Sequence, residues 1–247
     1  MFTEHDIGSD DFLKVLLESP PKAGKTCCAI GTSPKPVFVL NADPGGLISA
    51  QRRGLKFKGA NIIDEKGGSH HAALVKGVKE LRQELLSKTP PRTVVIDTIS
   101  MFALYLEAEL KKRHSDDTYA VYRNMKDILV GAAMEILSLP INVIMNAHTI
   151  DTGKEAGSMG TIPLISGQAK TIIPGLCNDI LWLELTPKSS QGPERREFLL
   201  GPQGSWKHGC RSLKFNGTMP ADFNEFIKRI KDEKGANSGV PTQQQRK

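Results

Sequence analysis

At 247 residues, 39% of them hydrophobic and 24% charged, the chain has the size of one large α/β domain or two small ones and the balance of a globular protein. No apolar run exceeds six residues, which excludes a membrane-spanning helix. The first thirteen residues carry Glu4, Asp6, Asp10 and Asp11 without Lys or Arg, the opposite of a secretory or organellar leader. A cytoplasmic location is expected, and with it reduced, buried thiols at Cys27, Cys28, Cys177 and Cys210, whose spacing suggests neither a disulfide framework nor a zinc site.

Residues 1–11 are expected to form a flexible N-terminus and residues 12–232 a single core. Strand-like apolar runs fall at 12–19, 37–42, 60–64, 92–98, 141–147 and 179–185, mostly bounded by Pro, Gly or Asn. The stretches VVI and VIM are continuous rather than alternating, as in strands covered on both faces, so the pattern predicts a mostly parallel sheet with helices on both sides. Between the third and fourth runs, Leu74, Val78, Leu81 and Leu85 are spaced at three and four, an amphipathic helix with Ser69 as N-cap. Two further helices follow the fourth run, broken around His114–Asp117. Four Gly between 149 and 167 predict a long loop after the fifth strand, and loops of that length in compact domains are usually functional. EFLLGPQGS, joined through SSQGPE, reads as an antiparallel partner of the sixth strand, and residues 233–247 as a disordered tail.

The chemistry concentrates at strand ends. In Ser19-Pro20-Pro21-Lys22-Ala23-Gly24-Lys25-Thr26-Cys27 a strand gives way to a loop ending Gly-Lys-Thr and then to a helix of small residues. Such a loop turns backbone N–H groups toward phosphates, its Lys reaches the β/γ-phosphates, and its Thr hydroxyl binds Mg²⁺. Ser19 stands where the first Gly of the usual pattern would be. Asp97 closes the buried run TVVID, where a carboxylate sits beside a phosphate loop and holds Mg²⁺. Asp43 follows VFVLN and opens Asp-Pro-Gly-Gly, which is either a catalytic base activating water or plain turn chemistry. His148, two residues after Asn146, ends the fifth run at the mouth of the glycine-rich segment, placed to sense the γ-phosphate or its attacking water. The charge of +6 is uneven. Arg52, Arg53, Lys56 and Lys58 form an acid-free cluster, and residues 188–214 hold six Lys or Arg against Glu194 and Glu197. Runs of this kind are either solvated faces or footprints of an acidic partner.

This order of parts resembles the RecA-type P-loop ATPase core, and more narrowly the phage-encoded single-strand annealing ATPases that consist of little else. The resemblance spans about residues 12–215 through SPPKAGKT, VLNADPGG, VVIDT and VIMNAHT. It implies an ATP- and Mg²⁺-dependent protein acting on single-stranded DNA in recombination, a DNA-dependent ATPase assembled as a filament or ring with ATP between protomers. A single-strand-binding protein is a further partner it suggests. Lys25, Thr26, Asp97 and Asp43 would serve ATP within one protomer. Lys207 and Arg211 would reach a neighbour's ATP, and Lys154, Gly157, Ser158, Gly160, Thr161 and Lys170 would belong to the DNA-binding region. Two other readings stay open. One is a nucleoside or nucleotide kinase with 111–123 as a basic lid. The other is a non-catalytic DNA-binding assembly protein that holds nucleotide as a structural ligand.

Overall fold

The computed structural model describes residues 12–151, 161–186, 194–201, 209–215 and 217–237. The elements run β1 (Lys14–Ser19), α1 (Lys25–Thr32), β2 (Val37–Asn41), α2 (Ile48–Arg52), β3 (Lys58–Asn61), α3 (His70–Leu85), β4 (Thr93–Asp97), α4 (Ile99–Arg113), α5 (Thr118–Leu137), β5 (Asn142–Asp151), β6 (Thr161–Pro163), α6 (Ala169–Leu176), β7 (Asp179–Thr186), β8 (Arg195–Leu199), β9 (Gly209–Cys210), β10 (Thr218–Pro220) and α7 (Phe223–Asn237). Among the described residues no helix is long and apolar enough to cross a membrane.

The strands form a sheet in the order β10-β8-β7-β1-β5-β4-β2-β3, with β6 added to β5 and β9 to β7. β7, β1, β5, β4, β2 and β3 are parallel, whereas β8, β9 and β10 join antiparallel at one side. This is the expected α/β class, a mostly parallel sheet with an antiparallel edge. Strand alternation sends Leu16, Val143 and Met145 to one face, under α3, α4, α5 and α6, and Val15, Leu17 and Ile144 to the other, under α1 and α7. The second face is closed by Phe198, whose ring lies 4.9 Å from Phe223 and 6.5 Å from Phe226. Each fully buried ring of this kind contributes roughly 1.5–3 kcal/mol of transfer free energy.

Helix ends follow local chemistry. The hydroxyl of Ser69 accepts the Ala72 N–H, as predicted, and Thr98 and Asp117 cap α4 and α5 in the same way.

Two expectations are corrected. The glycine-rich segment after the fifth strand is not loop throughout, because β5 continues to Asp151 and pairs antiparallel with β6 in the register Thr149↔Pro163, Ile150↔Ile162, Asp151↔Thr161. Its β-branched residues favour extended backbone, which the average glycine content concealed. The C-terminal segment does not leave the fold at 233, because α7 runs on to Asn237. Asp222 accepts the N–H groups of Asn224 and Glu225, and Phe223, Phe226 and Ile230 bury one stripe, so the charged residues beyond simply continue an anchored helix. Residues 1–11 and 238–247 lie outside the described residues.

Candidate nucleotide site

β1 runs buried to Ser19, and the chain then turns through exposed Pro20, Pro21 and Lys22 to buried Ala23 and into α1. The left-handed backbone positions are Lys22 (φ 66°) and Gly24 (φ 99°). Ser19 is therefore not asked for glycine's freedom, which explains why the loop forms without the first Gly of the usual pattern. No side chain caps α1, so its first-turn amides are not spent on a side-chain acceptor. Lys25 is buried, and its Nζ donates to Ser19 O (2.8 Å), Ser19 Oγ (3.0 Å) and Pro20 O (2.9 Å) and lies 3.1 Å from His148 Nδ1. Burial pushes its pKa down to about 8, while the charges of Asp97 and Glu18 hold it up. Burial and then the Lys25 ammonium drive His148 down to about 4, so its ring is neutral at pH 7 and Nδ1 accepts from Lys25.

Beside the loop, Asp97 closes β4 fully buried. Its carboxylate accepts from Thr26 Oγ1 (3.1 and 2.9 Å) and from Asn146 Nδ2 (2.9 Å). Burial raises its pKa despite those donors. Asn146 Oδ1 is buried with no hydrogen-bond partner among the described residues. Thr26 and Asp97 thus bring hard oxygen donors together next to an unsatisfied carbonyl oxygen, a set that suits Mg²⁺. Among the described residues no cluster of three or more His, Cys, Asp or Glu is arranged to hold a metal ion, and Mg²⁺ is ordinarily bound through one or two carboxylates with water and phosphate oxygens completing its shell. Thr26 and Asp97 would hold it, and it would neutralise charge on the phosphate chain.

Asp43 takes part in the turn that its motif opens and also lines the cavity beside the phosphate loop. Its Oδ1 accepts the Gly45 N–H at 3.1 Å, and the backbone packs so closely that a Cβ on Gly46 would lie 3.0 Å from Oδ2. The same side chain faces a cavity of about 460 Å³ together with Lys25, Thr26 and His148. Ser100 fixes the backbone of His148, accepting its N–H at 3.0 Å, and His148 lies in the same strand that pairs with β6. A larger cavity, about 740 Å³, lies at the other edge of the sheet among Phe38, Leu55, Phe57 and Pro91. It gathers none of the strand-end polar groups, so volume does not choose the site.

The other site candidates divide. Cys27 is half-buried at the start of α1, and none of the four cysteines is bridged. Lys170 is exposed on α6, and Thr161 opens β6. Arg211 follows β9, whose Cys210 pairs with Asp179 while Asp179 is level with Val15. It therefore stands toward the amino ends of the strands, and the phosphate loop follows the carboxyl end of β1 at Ser19. Arg211 does not contribute to this protomer's loop. Lys154, Gly157, Ser158, Gly160 and Lys207 lie outside the described residues.

Arg196 and Glu18 are among the groups at the site that no motif singled out. Arg196, on β8, donates from Nε to Ala23 O at 3.3 Å and lines the cavity. Glu18, the residue before the loop, is buried, and desolvation pushes its carboxyl up to about 7 against the pull of Lys25. An acid inside an apolar strand run was the available signal for Glu18. For Arg196 there was only a local excess of positive charge.

A family described as an AAA domain matches residues 11–218, and the chain belongs to that family. It is an AAA-type P-loop ATPase domain. Among solved structures the chain is similar to a KaiC-like protein of the hyperthermophilic archaeon Pyrococcus horikoshii, at 15% identity over 85% of this chain and 86% of that one with a TM-score of 0.42. It is also similar to the RadB recombinase, at 18% identity over 75% and 79% with a TM-score of 0.41. Nothing matches among curated proteins.

Proposed function

We propose that the protein is a DNA-dependent ATPase that binds single-stranded DNA, promotes annealing or strand pairing, and assembles as a filament or ring with ATP at protomer interfaces. The observation that carries this reading is His148. Its Nδ1 meets the Lys25 ammonium at 3.1 Å, and its strand continues directly into the β5–β6 pairing. A γ-phosphate drawn to Lys25 must compete with that contact, which gives nucleotide occupancy a route to the segment between β5 and β6. Asp43 orients and deprotonates the attacking water, and Lys25 stabilises the charge that develops on the transferred phosphoryl group. The placement of Arg211 away from its own loop supports its action on a neighbour's nucleotide, alongside Lys207. A basic chain of +6 favours a polyanionic partner.

The kinase reading finds little support. Residues 111–123 lie in α4, α5 and the short turn between them, and Lys111 and Arg113 are paired with Glu107 and Glu109 of their own helix. ATP turnover with and without single-stranded DNA, and with a panel of nucleosides, decides the matter. Stimulation by DNA is expected, with loss of turnover on the order of 10²-fold in Asp43→Asn and nucleotide binding retained, as for a missing general base. Stimulation by a nucleoside, or normal turnover in Asp43→Asn, contradicts the assignment.

A further inference from the structure

Arg196 belongs to the antiparallel edge, yet its side chain lies across the phosphate loop. Nε donates to Ala23 O at 3.3 Å, and a Cβ at Gly24 would stand 2.9 Å from the same nitrogen. The guanidinium thereby forms one wall of the cavity whose other walls carry Lys25, Thr26, Asp43 and His148. Its Nη2 meets Glu194 Oε1 at 2.6 Å, with the two side chains 30% and 47% exposed. An ion pair that open to water is weak, whereas a guanidinium and a phosphate match in geometry and share charge-assisted hydrogen bonds. Of the five N–H donors that an arginine carries, a single carbonyl and a single carboxylate oxygen are the acceptors among the described residues.

Resting on the nucleotide reading above, we infer that Arg196 is a phosphate-binding residue of its own protomer. It grips the di- or triphosphate chain together with Lys25, and Glu194 restrains it by competing for the same guanidinium. Lys25 approaches the chain from α1 and Arg196 from β8, so the parallel core and the antiparallel edge each contribute one cation. A purely structural brace predicts something different, because both partners of a brace would then be needed for a well-formed loop. The two roles differ in the sign of the Glu194 effect.

Displacement of a fluorescent ADP analogue by ADP and by ATP, in Mg²⁺, separates them. Arg196→Ala is expected to raise Kd for both nucleotides about tenfold or more, the loss of a hydrogen bond to a charged group, with Arg196→Lys between it and wild type. Glu194→Gln is expected to lower Kd about two- to fivefold, as release of a weak surface pair should. Unchanged affinity in Arg196→Ala, with wild type binding normally, overturns this inference alone. So does a Glu194→Gln that weakens binding together with Arg196→Ala. Wild-type protein that binds neither nucleotide overturns the inference and the nucleotide reading together. If Arg196→Ala does not fold, Arg196→Lys and Glu194→Gln still give opposite signs or fail to.

Discussion

Asp97 and Asp179 are both 0% exposed, and one closes a parallel strand while the other opens one. Their partners differ in kind. Asp179 accepts the backbone N–H groups of Arg211 (2.9 Å) and Ser212 (3.0 Å) and the Ser212 hydroxyl (2.6 Å), so it pins the β9 segment to the sheet. Among the described residues the Asp97 carboxylate accepts from side chains, Thr26 and Asn146, and beside it an amide oxygen is left unpartnered. Backbone donors fixed by the fold are a structural commitment, whereas side-chain donors facing a cavity can be exchanged for a ligand. Burial and residue type alone do not separate a structural aspartate from a working one; the identity of the donors does.

The largest effect falls on the cation that faces Asp97. Lys25→Ala should abolish ATP binding, measured by calorimetry, because loop amides cannot replace the charge on the β/γ-phosphates. Asp97→Asn keeps an acceptor for Asn146 and removes the anionic oxygen, so hydrolysis should fall on the order of 10²-fold or more while thermal stability stays close to wild type. The mirror experiment is Asp179→Ala, which should destabilise by about 3 kcal/mol in urea titrations, because three hydrogen bonds to a buried carboxylate are lost together. Its nucleotide affinity should be unchanged. If Asp97→Asn were the unstable variant and Asp179→Ala the inactive one, the contrast between the two aspartates would be reversed.

The smallest effect concerns Glu18. Its carboxyl titrates near 7 in the fold instead of near 4.5, because desolvation outweighs the attraction of Lys25. Between those values the folded protein binds the proton and the unfolded chain does not, so stability falls as pH rises through that window. Glu18→Gln should therefore match wild type near pH 4.5 and exceed it above pH 7 by on the order of 2 kcal/mol, discounted for the lost attraction to Lys25. Denaturant titrations at several pH values give the difference, and a constant offset across the range would show that burial of Glu18 is not what shifts it.

How far the sequence could be read depends on the distance over which its information acts. Lys25, Thr26, Asp43, Asp97 and His148 each end or follow a strand, and parallel strands in register necessarily bring such ends together, so local motifs sufficed to gather them. Six strand runs and the Ser69 cap were legible for the same reason. Arg196 reaches the loop from 173 residues away, through an antiparallel edge whose register no local pattern sets. The β5–β6 pairing was hidden by averaging glycines with β-branched residues. The end of α7 was missed because its charged turn is held by Phe223, Phe226 and Ile230 earlier in the helix rather than by anything in itself.

The central claim is that the Asp97 end of the sheet couples nucleotide to a nucleic acid partner through His148. Binding of labelled single-stranded DNA across a salt series, with and without ATP and Mg²⁺, in wild type and His148→Ala, tests it most directly. The account predicts affinity that ATP strengthens, that weakens steeply with salt as counterions are released, and that no longer responds to ATP in His148→Ala. No DNA binding in the presence of ATP and Mg²⁺, or binding indifferent to ATP in wild type, would contradict it.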